Sequence, residues 1–256
     1  MYVPAHFKED RVEVLHDAIK KYGFGTLVTS GEQELEASHL PLLLDPEPAP
    51  LGTVLGHLAR ANPQWTRVKP DVQALAIFLG PNTYITPSWY PTKQQTGKVV
   101  PTWNYLAIHA YGTLSFFDDA AELRAHVSRM TETHETPRAA PWAVSDAPAD
   151  FVDQMLKAIV GFKLRITKLE GKWKMSQNRP AQDVAGVLEG LADQDGESEA
   201  ANVPRPLRRL LAGQCAAPVD RGAVERWNLD GCDAASNRAA NVAIERLAVH
   251  RYTLLF

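Results

Sequence analysis

The chain predicts a mainly β, barrel-like domain with a few peripheral helices, an α+β fold. Three observations carry that reading. Short apolar runs of strand length, divided by Gly, Pro and Asp, recur through the first 80 residues; one long alternating run spans Tyr105 to Phe116; and only three segments show the spacing of an amphipathic helix. No repeat of fixed period is visible.

Taken in order, Asp10 to Tyr22 places Val12, Leu15 and Ile19 at helical spacing between charges, and Gly23 and Gly25 close that helix. Phe24 to Thr29, Ser38 to Leu44, Thr53 to Ala59 and Ala74 to Leu79 read as successive antiparallel strands. Pro41 cannot donate to a ladder, so the second of these is an edge strand or carries a bulge. In the long run, Tyr105, Ala107, His109 and Tyr111 share one face and Leu106, Ile108, Ala110 and Gly112 the other, both at least half buried. Asp119-Ala120-Ala121-Glu122 resembles a capping box that opens a second helix, with Leu123, Val127 and Met130 inward. A third helix takes Asp146 as its cap and Pro148 in its first turn, turns Phe151, Leu156 and Ile159 inward, and ends at Gly161. Phe162, Leu164 and Ile166 then alternate with Lys163, Arg165 and Thr167. Glu170-Gly171 predicts a tight turn into Trp173 to Ser176, completing a hairpin.

The organised domain is expected to cover 1–192. An acidic linker, Asp193-Gln194-Asp195-Gly196-Glu197 and on to 203, follows, and then an extension over 204–256 in which Ser236 to Arg251 can form an Ala-rich helix. Charge divides the same way: 202–256 holds 8 Arg, no Lys and 5 acidic residues, against 19 basic and 25 acidic residues in 1–201. An acidic domain does not favour nonspecific adhesion to nucleic acid. There is no apolar run near 18 residues and no signal peptide, so a cytoplasmic protein with no membrane segment is expected. The two cysteines, Cys215 and Cys232, both lie in the extension, which excludes a disulfide framework or a cysteine-rich metal site.

Two runs depart from what a purely structural strand requires. Gly56-His57-Leu58-Ala59-Arg60-Ala61-Asn62-Pro63 and Val100-Pro101-Thr102-Trp103-Asn104-Tyr105 bring polar, aromatic and turn-forming residues together where aliphatic ones would suffice. A planar polar ligand accounts for that chemistry.

These runs, with Met1 to Phe7, Gln64-Trp65, Pro87-Ser88-Trp89-Tyr90 and Lys174-Met175-Ser176-Gln177-Asn178-Arg179, together resemble the PaiB-type FMN-binding negative transcriptional regulators over roughly residues 1–192. The resemblance implies a split β-barrel of the pyridoxamine-phosphate-oxidase type, a homodimer with FMN in clefts between subunits, and a regulatory role. For an FMN site, Arg60 would grip the phosphate, or else merely cap a strand end. His57 would bond the phosphate or a flavin oxygen, or else act as a structural donor. Asn62 and Ser88 stand in the same words. Trp89 would reach the ligand from a Pro-Ser corner and Lys93 from a mobile loop, Pro91 to Lys98, the alternative being an aromatic lid with a solvated lysine. Trp103 and Tyr105 would wall the ring while the Asn104 amide reads its pyrimidine edge. Gln177, Asn178 and Arg179 form a polar cluster that a core would not choose, and they can serve the neighbouring subunit.

No nucleophile triad, reactive Cys or glycine-rich phosphate loop is present. His134-Glu135 lacks the second His of a helical zinc motif, and His126 lies eight residues from His134 rather than four. The reading is therefore a flavin-dependent regulator acting through a protein partner, since no basic recognition helix is found for direct DNA binding. The alternatives are an FMN-dependent oxidoreductase, and a haem protein using His109 or His134.

Overall fold

The computed structural model describes residues 1–31, 34–69 and 72–197. The strands are β1 (Lys8–Glu9), β2 (Phe24–Ser30), β3 (Leu35–Pro41), β4 (Leu43–Asp45), β5 (Thr53–Ala59), β6 (Ala74–Ile85), β7 (Thr102–Phe117) and β8 (Ile159–Lys174). The helices are α1 (Val12–Lys21), α2 (Gln64–Arg67), α3 (Thr92–Thr96), α4 (Ala120–Glu135), α5 (Ala149–Lys157) and α6 (Ala181–Glu197). The strands join one mostly antiparallel sheet in the order β3-β2-β6-β7-β8-β5-β4, with β1 on β8. The mainly β reading with peripheral helices is the observed one.

Local chemistry explains most boundaries. β3 is the terminal strand and ends at Pro41, as a residue without an N–H requires; the chain breaks at Leu42, whose N–H bonds the Gly23 carbonyl, before β4 begins. β6 runs on past Leu79 through a register shift between Leu79 and Asn82 that accommodates Pro81. The Asp119 carboxylate accepts the Glu122 N–H at 2.9 Å and opens α4 as its cap.

Five expectations need correcting. α5 is capped at Pro148 without a side-chain bond, while Asp146 ends a short 3-10 turn and bonds the Ala143 N–H. The helix stops at Lys157, so Gly161 lies inside β8, and Phe151 is 43% exposed because Val152 and Leu156 hold the inward stripe. No hairpin turns at Glu170-Gly171. β8 is continuous there and pairs with β1; Gly171 is required because a Cβ would stand 2.3 Å from the Leu15 side chain and 2.8 Å from the Glu9 carbonyl. Finally, the segment read as a mobile loop contains α3, closed by Gly97 in the left-handed region.

α6 was not anticipated, and it continues past Asp193 to Glu197; the rest of the expected linker and the whole extension, with its Ala-rich helix, lie outside the described residues. Among the described residues the chain divides into two compact units. The first holds 1–55, 67–114 and everything from Lys163; the second holds Gly56–Thr66 and Ser115–Phe162. Leu15 and Ile19 of α1, Leu27, Phe78, Ile108 and Leu164 are buried in the first. Leu123, Val127, Val144, Val152, Leu156 and Ile159 form the core of the second. No helix among the described residues is long and apolar enough to cross a membrane.

Candidate functional site

In the first unit, the far ends of β6 and β7 separate cleanly into two faces. Thr83 opposite Asn104 is buried, whereas Tyr84 opposite Trp103 is open, at 47% and 53% exposure, with the rings 6.1 Å apart and edge to face. Asn82 and Tyr105, the next pair on the same face, extend it. An indole and two phenols on an open strand face are a stacking surface for a flat aromatic molecule.

Asn104 is fully buried and faces the other way. Its amide bonds the Ser176 hydroxyl through both ends, Nδ2 donating at 3.0 Å and Oδ1 accepting at 3.2 Å. Ser176 needs that tether: it follows β8 at a φ of 62°, a left-handed conformation that a residue with a Cβ seldom adopts. The turn that results re-aims the next three residues. Gln177 folds back, accepting the Met175 N–H at 2.6 Å and donating to the Trp173 carbonyl; Asn178 is exposed; and Arg179 lies over the Tyr90 ring, its guanidinium carbon 4.6 Å from the centroid.

α6 holds the next piece of the site. Asp183, buried in its first turn, accepts from the Thr92 N–H at 3.1 Å and from the Thr92 hydroxyl at 2.9 and 2.8 Å, fixing the start of α3. Trp89 lies against Gly186 and Gly190, where a Cβ would stand 2.0 Å from the Trp89 carbonyl oxygen and 2.3 Å from the indole. Tyr90 is 1% exposed, and its hydroxyl has no acceptor among the described residues; burial pushes that hydroxyl up, against the charge and hydrogen-bonding reach of Arg179. Lys93 is exposed and reaches Ser88 Oγ at 3.4 Å.

At the end of β8, Lys174 donates to Thr102 Oγ1 and to the Trp103 carbonyl, and Lys172 Nζ lies 5.3 Å from the Tyr105 ring centroid. Sequence reasoning missed both lysines; they alternate with Trp173 on the strand and read as solvated charges. Nearby, the amine of Met1 donates to Tyr111 and to Glu170, which also pairs with Lys168. Burial pushes the Glu170 carboxyl up, but the bonds from Lys168 and the amine outweigh it and hold it at about 2. His109 shares a hydrogen bond with the Tyr111 hydroxyl at 3.3 Å and is pushed down by burial, then by the charge of the amine.

Three predicted site residues lie in the second unit, where each has partners within that unit. Arg60 donates through Nε to the Lys157 carbonyl at 2.9 Å and through Nη2 to the Ile159 carbonyl at 3.1 Å, tying the end of α5 to the start of β8. Its backbone N–H bonds Ala158, and Asp118 lies 3.6 Å from Nη1. Asn62 makes an Asx turn onto the Gln64 N–H at 2.9 Å. His57 faces α4: its Nδ1 is 3.1 Å from His126 Nε2, and His126 Nδ1 is buried without a partner. Burial pushes His57 down and, with the His57 and Arg129 charges, holds His126 at about 4. Arg60→Ala is therefore expected to destabilise the fold by about 1–3 kcal/mol in urea unfolding, the usual cost of losing charge-assisted bonds. Unchanged stability would contradict this structural post. His134 is exposed on α4, and no group of three or more His, Cys, Asp or Glu among the described residues is placed to hold a metal ion.

Residues 1–168 match the family model described as "Putative FMN-binding domain". The chain is 34% identical to the protease synthase and sporulation protein PAI 2 of Bacillus subtilis, over 76% of this chain and 91% of that protein. It is 36% identical to an uncharacterized protein of Aspergillus fumigatus, over 75% and 90%. The fold resembles a FAD and heme binding protein of Mycobacterium smegmatis (TM-score 0.50, 14% identity, 70% of this chain and 78% of that one). A conserved hypothetical protein of Mycobacterium tuberculosis is similar at the same TM-score, with 13% identity over 70% and 94%. Both likenesses are of the fold, a mostly antiparallel split barrel. By sequence, the chain belongs to the PaiB-like family, whose domain is described as a putative FMN-binding domain.

Proposed function

We propose that this protein binds FMN and works as a negative transcriptional regulator whose flavin occupancy or redox state alters a surface seen by a partner protein. The observation that carries the reading is the open Tyr84–Trp103 face with Tyr105 beside it, a surface that suits an isoalloxazine ring and that a lone barrel would not leave in water. The buried, unpartnered Tyr90 hydroxyl beneath Arg179 fits the same group, because a polar atom out of water calls for an acceptor or donor. When bound, the flavin supplies the redox chemistry. The chain's own share is positional: Trp103 and Tyr84 flank the ring, Asn104 with Ser176 sets the turn that directs Arg179, and α6 seats Trp89 and Tyr90. A homodimer is the assembly that best covers so open a face, with residues 1–192 as the flavin domain, 193–203 as linker and 204–256 as an extension, in the cytoplasm. The name of PAI 2, which refers to protease synthase and sporulation, fits a part in controlling such processes.

The test is a spectrum. Purified protein should show flavin absorption. Bleaching by NAD(P)H with turnover of a small molecule would favour the oxidoreductase reading, and a Soret band would favour haem. Trp103→Leu should raise the emission of bound flavin and weaken its binding by about ten- to a hundredfold while leaving the melting temperature of the flavin-free protein nearly unchanged. A large loss of stability with unchanged flavin emission would make Trp103 a structural residue and overturn the stacking surface.

A further inference from the structure

Three cations stand together at the end of β8 and just beyond it, and among the described residues no carboxylate pairs with them. Lys172 Nζ donates to the Tyr2 carbonyl at 3.1 Å and lies over the Tyr2 and Tyr105 rings, at 5.7 and 5.3 Å from their centroids. Lys174 Nζ donates to Thr102 Oγ1 and the Trp103 carbonyl and stands 5.8 Å from the Phe7 centroid. Arg179 lies on Tyr90 and reaches the Val100 carbonyl at 3.5 Å. None of the three has an ion pair among the described residues. Some cations elsewhere have acids beside them, as Lys168 has Glu170, Arg67 has Glu36 and Arg124 has Asp153, and others such as Lys93 and Lys98 are exposed to solvent, whereas Lys172, Lys174 and Arg179 are half-buried. The one acid close to Tyr90, Asp183, is committed to the N–H and hydroxyl of Thr92.

Like charges held together with no counter-charge cost free energy, and a half-buried ammonium cannot be screened as well as an exposed one. Burial, then Lys172, then Arg179 push the Lys174 ammonium below the ordinary lysine range. All of these contacts are with oxygens or aromatic faces that add no negative charge. Trp103, whose carbonyl Lys174 bonds, carries an open indole, and the buried Tyr90 hydroxyl beneath Arg179 has no acceptor among the described residues. A dianion with several acceptor oxygens would neutralise the cluster and offer that hydroxyl an acceptor.

We propose that Lys172, Lys174 and Arg179 form the subsite for a phosphate monoester carried by a flat aromatic molecule, and that this cluster, not Arg60, grips the phosphate of FMN. The choice of FMN rests on the function proposed above; the anion subsite itself rests on the three unpaired cations.

The test compares FMN with riboflavin, which lacks the phosphate, by titrating the full chain and following flavin fluorescence. Lys172→Gln combined with Lys174→Gln should weaken FMN about ten- to a hundredfold and leave riboflavin within about twofold, the loss expected for charge-assisted bonds to a phosphate. Arg60→Ala should change both flavins by the same factor. An unchanged FMN-to-riboflavin ratio in the double variant, or a preference for FMN abolished by Arg60→Ala alone, would overturn the assignment. If the double variant fails to fold, salt decides with the unaltered protein: FMN binding should weaken as NaCl rises while riboflavin binding holds, and two flat responses would overturn the subsite. If the unaltered protein binds neither flavin, the FMN reading falls by itself. Inorganic pyrophosphate then tests the subsite: a raised melting temperature upholds it, and no change overturns it.

Discussion

Gly186→Ala is expected to destabilise the protein by about 2–3 kcal/mol and to weaken flavin binding with it. In an ordinary helix interior the same exchange stabilises by about 0.5–1 kcal/mol, because alanine is the better helix former. The sign is reversed here because the new methyl would stand 2.0 Å from the carbonyl oxygen of Trp89, a backbone atom that no rotamer change can clear. α6 would have to lift from the 3-10 turn at Pro87–Trp89, drawing Asp183 off Thr92 and loosening Tyr90 under Arg179. Urea unfolding gives the stability and flavin titration the binding. A stabilised variant with intact binding would show that α6 does not seat this part of the site.

The second large effect is set by pH. His126 is held at about 4, against 6.5 for a free imidazole, by burial first and then by the charges of His57 and Arg129. Above pH 6.5 the group is neutral in both folded and unfolded chains and costs nothing. As pH falls from there towards 4, the unfolded chain takes up a proton that the folded one refuses, so stability is lost across that window and the loss levels off below it. The size follows from the shift, about 3 kcal/mol. His57, pushed down by burial, adds in the same direction. Unfolding free energies measured from pH 7.5 to 4 should show the decline, and His126→Phe should flatten it. An identical slope in that variant would place the acid sensitivity elsewhere.

The parts of the fold visible in the sequence are those governed by local rules. Alternation announced β7, Thr53 to Ala59 marked β5 to the residue, and Asp119 with Glu122 announced the start of α4. What escaped was set by tertiary contact. Glu170-Gly171 has the look of a turn, yet the glycine is there to let Leu15 and the Glu9 carbonyl approach a continuous strand. α6 follows Pro180 with Val184, Val187 and Leu191 at helical spacing, a signal dimmed by two glycines whose purpose is to admit Trp89. The candidate site divides the same way. Trp103 and Tyr105 were legible as aromatics that the strand does not need for its core, and they share one strand face on which Trp103 is open. Arg60, His57 and Asn62 looked like ligand groups by type, but their partners are the Ile159 carbonyl, His126 and the Gln64 N–H, and residue type cannot reveal a partner that the fold brings from elsewhere. Lys172 and Lys174 were passed over for the converse reason: a strand lysine is ordinarily solvated, whereas these two are half-buried with no ion pair among the described residues.

The amide of Asn104 and the hydroxyl of Ser176 also bear on how this domain can vary over time. A backbone turned to positive φ at a residue with a side chain persists only while something holds it, and here the holder sits 72 positions away in the chain. A glycine at 176 would adopt the turn unaided and release position 104 from its duty, whereas losing the amide first would leave Ser176 unheld and Arg179 without its heading. The two sites therefore have a preferred order of replacement: serine must yield to glycine before asparagine is free to change. Among descendants of this sequence, an altered 104 should be found in company with glycine at 176, and the reverse pairing, an altered 104 beside serine, should be rare.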